Sequence, residues 1–320
     1  MQRRHFNQTL LAATALSNPW AAWAQSGNAR LVVGFAAGGS VDLTARTMAE
    51  SLRDALGRNF VVENKPGASG RFAPETVRQA KPDGDTLMLV PHGPMTLFQW
   101  LHRQLRYDPV KDFTPLARVC VVDYALTTGP ATSTKTMAEY LQWAKDPKHK
   151  AAFGSPGAGT IPHFIGQGLV QKTRTDMVHV PYKGSALTMV DLLAGNLSLG
   201  VSPLPDAIEH HRSGKLKVLA TTGSQRNPVL PEVPTLKESG IDLVVDGWYG
   251  MLMAARTPTP IIKRFAISLH RALQANDVKQ RLASQGIDTA VSTPEALRKI
   301  IVSELAQWAK VVREAGIQPE

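Results

Sequence analysis

Apolar residues along the chain follow two kinds of pattern. Segments with apolar residues at three- and four-residue spacings predict helices, and short apolar runs predict strands. In 43–56, for example, this helical spacing ends directly before Gly57, a residue typical of a helix C-terminus. The predicted strands are 31–35, 60–63, 86–90, 116–122, 151–153, 178–180, 197–201, 216–220 and 247–254. The predicted helices are 43–56, one that follows the loop 64–70, 136–145, one from about 161, 186–194, 206–212, 261–273, 277–285 and 294–314.

The alternation of strands and helices occurs twice. It begins near residue 31 and restarts near residue 136. Such alternation predicts an α/β fold in which helices cover both faces of parallel sheets. A chain of 320 residues is also long for a single core. We therefore expect two lobes, the first formed by 29–122 plus 247–320, which gives the C-terminal helices a surface to pack on, and the second by 123–246.

Two glycine-rich segments join a strand to a helix, one in each unit. They are FAAGGS at 35–40 and GSPGAGT at 154–160. Ligands of α/β proteins collect at the carboxyl ends of strands, and free N–H groups at a helix start attract anions. Each segment alone could equally be a tight turn that needs glycine for its own geometry. The presence of one loop in each unit favours a shared anion-binding cleft.

The common signatures of enzymatic chemistry are missing. The first loop lacks the Gly-Lys-Ser/Thr of a P-loop and the G-x-G-x-x-G of a dinucleotide site, and the chain has no G-x-S-x-G or H-E-x-x-H. Its one cysteine, Cys120, cannot form a pair for metal binding. His92, His163 and His179 lie near strand ends or loops, but none has an acid at a catalytic spacing. We expect no catalytic residue, cofactor or metal.

Charge and the N-terminus bear on partners and location. The net charge of +10 comes from scattered Lys and Arg, which argues against a nucleic-acid-binding surface. Arg3-Arg4-x-Phe6, the apolar run 10–16 and the A-x-A site at 22–24 are typical of a twin-arginine-like export signal. We expect 1–24 to be this signal, cleavage after Ala24 and a periplasmic location.

Many segments, in order, match one family of receptors. From about residue 29 to the end the chain resembles the Bug family, the periplasmic solute-binding receptors of tripartite tricarboxylate transporters (TctC-like). The segments that carry this resemblance are LVVGFAAGGSVDLTAR at 31–46, VVENKPGASG at 61–70, KPDGDTLML at 81–89, YDPVKDFTPLARV at 107–119, GSPGAGTIPHF at 154–164, VHVPYKGSALTMVDLLAGN at 178–196, GKLKVLATTGSQRNPVLPEVPTLKESG at 214–240 and WAKVVREAGIQPE at 308–320.

The resemblance implies a fold, a function and partners. The fold is the two-lobed periplasmic-binding-protein (type II, Venus-flytrap) fold with hinge strands. The function is capture of a small organic carboxylate between the lobes and its delivery to the integral-membrane permease subunits of a tripartite transporter. We further expect a monomer. Two alternatives stay open: the same clamshell could present its ligand to a sensor protein, or the chain could be an exported enzyme, although it shows no nucleophile–base pattern.

The resemblance also assigns ligand-binding residues, with main-chain groups of both loops holding the carboxylate. The assigned loop residues are Phe35, Ala36, Ala37, Gly38, Gly39, Ser40, Asp42, Ser155, Gly157, Ala158, Gly159, Thr160 and His163. His92 and Ser202 stand where the family has other residues, the latter in SPLP against the family's frequent Asp-Asn-Leu-Pro. Loss of that acid favours a mono- or dicarboxylate, aromatic ones included, over an amino acid. Lys183 is either a cleft residue or a solvated turn residue.

Overall fold

The computed structural model describes residues 27–314 and 319. Its strands are β1 Ala29–Val33, β2 Phe60–Asn64, β3 Thr86–Pro91, β4 Phe113–Thr128, β5 Ala152–Ser155, β6 Val178–Pro181, β7 Leu199–Pro203, β8 Lys217–Thr221, β9 Asp246–Ala254 and β10 Asp288–Thr289. Its helices are α1 Ser40–Leu56, α2 Phe72–Arg78, α3 His92–Thr96, α4 Phe98–Leu101, α5 Met137–Lys145, α6 Ile161–Thr173, α7 Ser185–Ala194, α8 Ile208–Arg212, α9 Thr259–Gln274, α10 Asn276–Ala283 and α11 Pro294–Glu314. Each predicted strand and helix overlaps an observed one, whereas α3, α4 and β10 were not predicted.

The sheet is mixed rather than parallel throughout. Its strand order is β2-β1-β3-β9-β4-β7-β5-β6, with β8 and β10 also paired to β4. β1 is parallel to β2 and β3, and β5 is parallel to β6 and β7, whereas β4 and β9 are antiparallel to their neighbours. The prediction of parallel sheets is therefore wrong for β4 and β9. A helix that crosses over between two strands makes them parallel. β9 instead follows the segment 241–245, which is not a helix, and pairs with β3 in the antiparallel direction.

β4 connects two halves of the molecule. Its residues Phe113–Asp123 pair with β9, and Tyr124–Thr128 pair with β7 and β8. We call the half built on β1–β3 the first lobe and the half built on β5–β8 the second lobe. The strand changes partners next to the expected boundary at 122/123, and β9 begins next to the expected boundary at 246/247.

Each lobe has its own apolar core. In the first lobe, α1, α9 and α10 cover one face of the sheet, where Leu31, Met48 and Phe265 are fully buried. α2, α3 and α11 supply the buried residues of the other face. The C-terminal helices α9 and α11 thus pack mainly against β4, α1 and α3. The second lobe buries Phe153, Leu199 and their neighbours between its sheet and helices α5 and α6.

A helix that could cross a membrane is not found among the described residues. The expected export signal, residues 1–24 with cleavage after Ala24, lies outside them.

Candidate functional site

The two glycine loops face one cavity between the lobes. Residues 35–39 connect β1 to α1 in the first lobe, and residues 156–160 connect β5 to α6 in the second. Both lie at the carboxyl ends of parallel strands, and the cavity opens between them. Its walls are mostly apolar and include the side chains of Pro91, Pro94, Pro156, Pro162 and Pro203. None of the lining residues is a lysine or an arginine.

The sequence-predicted site residues fall into three groups. Those that line the cavity are Phe35, Ala36, Gly39, Asp42, His92 and Thr160. An adjoining outer cavity, which shares Phe35 and Pro156 with the first, is lined by Gly157, Ala158 and Lys183. The others line neither cavity: Ala37, Gly38, Ser40, Ser155, Gly159, His163 and Ser202. Pro203, the residue after Ser202, lines the cavity instead. The Ser202 hydroxyl is buried and has no hydrogen-bond partner among the described residues.

Direct contacts between the lobes close the cavity. The Ser40 N–H donates to Asp206 Oδ1 at 2.7 Å, and Ser69 Oγ donates to the Ala158 carbonyl at 2.6 Å. A longer bond of 3.4 Å joins the Ala36 N–H to the Lys183 carbonyl. The structure therefore shows a closed arrangement.

Asp42 fixes the conformation of the first loop through hydrogen bonds. Its carboxylate accepts hydrogen bonds from the Gly38 N–H at 3.0 Å, from Asn64 Nδ2 at 2.9 Å and from two nitrogens of Arg46 at 3.0 Å. Asn64 also donates to the Phe35 carbonyl. Burial raises the pKa of Asp42, but the bonds from Arg46, Gly38 and Asn64 outweigh it and hold this pKa below its ordinary value. Asp42 is thus an ionised residue that fixes the loop rather than one that offers a charge to a ligand.

Asp206 is the functional candidate that the sequence reasoning missed. It ends the short 3₁₀ turn after β7 and hydrogen-bonds Ser40 and Ser185, which begin α1 and α7. Burial raises its pKa to about 6, and the bonds from Ser185 and Ser40 only partly offset this. The available signal was an acid just beyond the carboxyl end of a second-lobe strand.

Two tyrosines and His92 contribute hydrogen-bonding side chains to the cavity wall. Tyr249 Oη lies 2.8 Å from Ser40 Oγ, and His92 Nε2 lies 3.1 Å from Tyr124 Oη. The other ring nitrogen of His92 lies 3.2 Å from a carboxylate oxygen of Glu304 on α11. α11 thereby fixes the His92 ring. The sequence reasoning missed both tyrosines, because each lies within a strand pattern that core packing explains equally well.

Stacked rings support the second loop. The ring centroids of His163 and His179 lie 3.8 Å apart at 14°, and the Phe153 ring lies 4.9 Å from that of His179 and 6.3 Å from that of His163. The Gly159 N–H donates to His163 Nδ1, and Ser155 Oγ lies 2.8 Å from His179 Nε2. Burial lowers the pKa of His163, and burial together with the neighbouring His163 lowers that of His179 to about 4. Both rings are therefore neutral at neutral pH.

The pair Ser155–His179 has the spacing of a nucleophile and a base, but its surroundings do not suit catalysis. The Ser155 side chain is fully buried, donates to the Gly157 carbonyl and lines neither cavity. The only hydrogen bond of His179 to a described side chain is the one to Ser155, so no carboxylate orients the ring. Likewise, the described residues contain no group of three metal-ligating side chains. The groups that the two loops present to the cavity are main-chain N–H donors.

We expect the His163–His179 stack to make the protein sensitive to acid. The folded pKa of His179, about 4, lies below the ordinary 6.5, so between these values the unfolded chain binds a proton that the folded chain does not. Stability should therefore fall as the pH drops from 6.5 to 4. His179→Gln should reduce that fall by about 1–2 kcal/mol, a value lowered for the partial exposure of the ring.

Urea unfolding at pH 4.5 and 6.5 measures this difference. His270→Gln, at an exposed histidine of α9, is the matched control and should leave the dependence on pH unchanged. Because Asp206 titrates with the opposite sign in the same range, only the difference between variant and wild type is interpreted. Equal pH dependence in His179→Gln and wild type would show that the stack carries no proton-linked stability.

Comparison with known proteins gives consistent results. Residues 44–317 match the model of the tripartite tricarboxylate transporter family receptor (TctC). Protein BugT of Bordetella pertussis is 32% identical over 289 residues, which cover 90% of this chain and 89% of that protein. The structure of the periplasmic binding protein BugD superposes with a TM-score of 0.88 at 31% identity, covering 92% of this chain and 99% of BugD. R. palustris Rpa4515, solved with adipate, gives a TM-score of 0.88 at 28% identity with the same coverage.

Proposed function

The chain belongs to the tripartite tricarboxylate transporter receptor family, and from this premise we propose that it is an extracytoplasmic receptor that captures a small carboxylate between its lobes. Its fold is the two-lobed α/β fold of periplasmic binding proteins. In this proposal the receptor hands its ligand to the integral-membrane permease subunits of a tripartite transporter. The adipate-bound structural relative supports the carboxylate class.

One observation carries the proposal: a glycine loop from each lobe faces the same closed cavity. Loop N–H groups remain for a ligand, because those of Ala37, Gly39 and Ala158 have no acceptor among the described residues. The positive ends of α1 and α6 point to the same region. With no cationic side chain in the inner wall, main-chain donors are the groups suited to hold the carboxylate.

The ligand-binding assignment accordingly divides by role. Loop residues 35–40 and 155–160 contact or frame the carboxylate, with His92 in the inner wall. Asp42 and His163 position the loops through their bonds to Gly38 and Gly159. Lys183 lines the outer cavity, which places its side chain at the entrance rather than at the carboxylate. We assign Ser202 no contact with ligand, because Pro203 lines the cavity in its place.

Ligand entry requires the lobes to separate, since direct hydrogen bonds between them close the cavity. Separation would break the three bonds between the lobes described above and bend the strands that join the lobes. β4 has irregular pairing at two points along β9 and at one along β8, where bending costs least. We propose that β4 and β9 are the hinge, with the first lobe formed by 29–122 plus 247–320 and the second by 123–246.

We also propose export to the periplasm by the signal in 1–24, removed after Ala24, and action as a monomer. Presentation of the ligand to a sensor protein is the alternative role, since it uses the same clamshell. An enzymatic role has no support, because the relatives described above are binding proteins and the Ser155 side chain is buried.

A thermal-shift screen against a carboxylate library tests the function. A ligand at about 100 times its dissociation constant should stabilise the protein by about 2.7 kcal/mol. Small-angle scattering on the same samples should show an unchanged or smaller radius of gyration with ligand, and never a larger one. If no carboxylate shifts the melting temperature while neutral or cationic solutes do, the proposed function is wrong.

A further inference from the structure

The carboxylate of Asp206 already occupies the start of α1 in the closed arrangement. Its Oδ1 accepts from the Ser40 N–H at 2.7 Å, and its Oδ2 lies 3.3 Å from Ser40 Oγ. The hydroxyl of Ser185, at the start of α7, hydrogen-bonds the same carboxylate. Asp206 belongs to the second lobe and Ser40 to the first. An acid of this protein thus holds an anion position that the proposed function would otherwise give to a ligand.

Among the residues that the structure describes, no cation pairs with the Asp206 carboxylate. Its hydrogen-bond partners among the described residues are Ser40 and Ser185, both neutral, and it takes part in none of the ion pairs between them. The inner cavity adds no lysine or arginine. The positive ends of α1 and α7, which face each other here, are what balances this carboxylate.

The first loop has few donors left for an additional anion. Asp206 accepts a hydrogen bond from the Ser40 N–H, and Asp42 accepts one from the Gly38 N–H. The Lys183 carbonyl accepts one from the Ala36 N–H. An anion placed on the remaining donors of this loop would lie beside the negative charge of Asp206, which has helix ends and hydroxyl groups but no cation among its described partners. Two like unit charges about 6 Å apart repel each other, at an effective dielectric constant of about 20, strongly enough to weaken binding of the second anion roughly a hundredfold.

We propose that Asp206 is a specificity-determining residue that restricts the site to ligands with one carboxylate on an apolar body. The second loop then holds the ligand's carboxylate, and Asp206 repels a second one at the start of α1. The mostly apolar walls suit such a body. This inference rests on the proposed function and narrows its substrate class from carboxylates in general to monocarboxylates.

The test compares acids of matched shape that differ in one carboxylate: hexanoate with adipate, and benzoate with terephthalate. Calorimetry on the full mature chain should give a monoacid preference of about tenfold or more. Asp206→Asn, which keeps the shape and removes the charge, should raise diacid affinity about tenfold and change monoacid affinity much less. Glu209→Gln is the control, since it removes an exposed acid of α8 whose ion pair among the described residues is with Arg212.

Each outcome decides the matter. If the wild type binds a diacid as tightly as its matching monoacid, or if Asp206→Asn leaves their ratio unchanged, the inference is wrong while the proposed function stands. If neither protein binds any of the four acids, the inference is wrong, and the library screen described above decides the proposed function separately. Asp206→Ser replaces Asp206→Asn should the latter melt more than a few degrees below wild type, and the same ratios apply.

Discussion

Gly39→Val should weaken carboxylate binding by about a hundredfold, equivalent to about 2.7 kcal/mol. Gly39 has an extended backbone with φ of −83°, so valine meets no backbone strain there. The obstacle is space, because a Cβ at this position would lie 2.9 Å from Ser185 Oγ across the lobe boundary. The variant should fold but fail to bring the start of α7 against the first loop. Calorimetry with a ligand found in the library screen measures the loss.

Two variants make this result interpretable. Gly27→Val places the same side chain where nothing lies within 4 Å, and its affinity should equal that of wild type. Lys183→Ala should cost less than about fivefold, because an exposed lysine at the outer cavity contributes little to an anion held by main-chain donors. Circular dichroism and melting must show all three folded. If Lys183→Ala abolishes binding while Gly39→Val binds almost normally, the main-chain donors do not hold the carboxylate, and a salt bridge to Lys183 does.

The glycine loops were predictable from the sequence because their function is local. A strand, a glycine-rich turn and an amphipathic helix follow one another within a few residues, so spacing and residue type predict where N–H groups are free. The same local reading predicts α1 and its end at Gly57, whose φ of 66° suits glycine.

Features that depend on distant residues were not predictable. Asp206 meets Ser40 only because β4 and β9 bring the lobes together, and 166 positions separate the two residues. Tyr249 and Glu304 likewise reach the site from the C-terminal part of the chain. The antiparallel course of β9 has the same cause, since no local pattern states which strand a returning segment will pair with. The sequence therefore predicts which loops carry the hydrogen-bond donors of the site, but not which charged side chains lie beside them.

Asp42→Ala should lower the free energy of unfolding by about 3 kcal/mol, the low end for breaking a buried ion pair, because half of Arg46 is exposed. The change removes the acceptor of the Gly38 N–H and one of the two acceptors of Asn64, and it frees the first loop. Ligand affinity should fall more than tenfold as the loop loses its fixed shape. Urea unfolding measures the stability, and calorimetry measures the affinity.

The matched control for this loss is Asp54→Ala, which removes an exposed acid from the same helix and should change stability by less than about 0.5 kcal/mol. The dependence on pH gives a second readout. Because the folded pKa of Asp42 is lowered, its stabilising effect is present above the ordinary 3.8 and disappears as the pH falls through the folded value. The gap in stability between wild type and Asp42→Ala should therefore narrow in acid. A gap that stays constant down to strongly acid pH would mean that packing, and not the carboxylate's hydrogen bonds, holds the first loop.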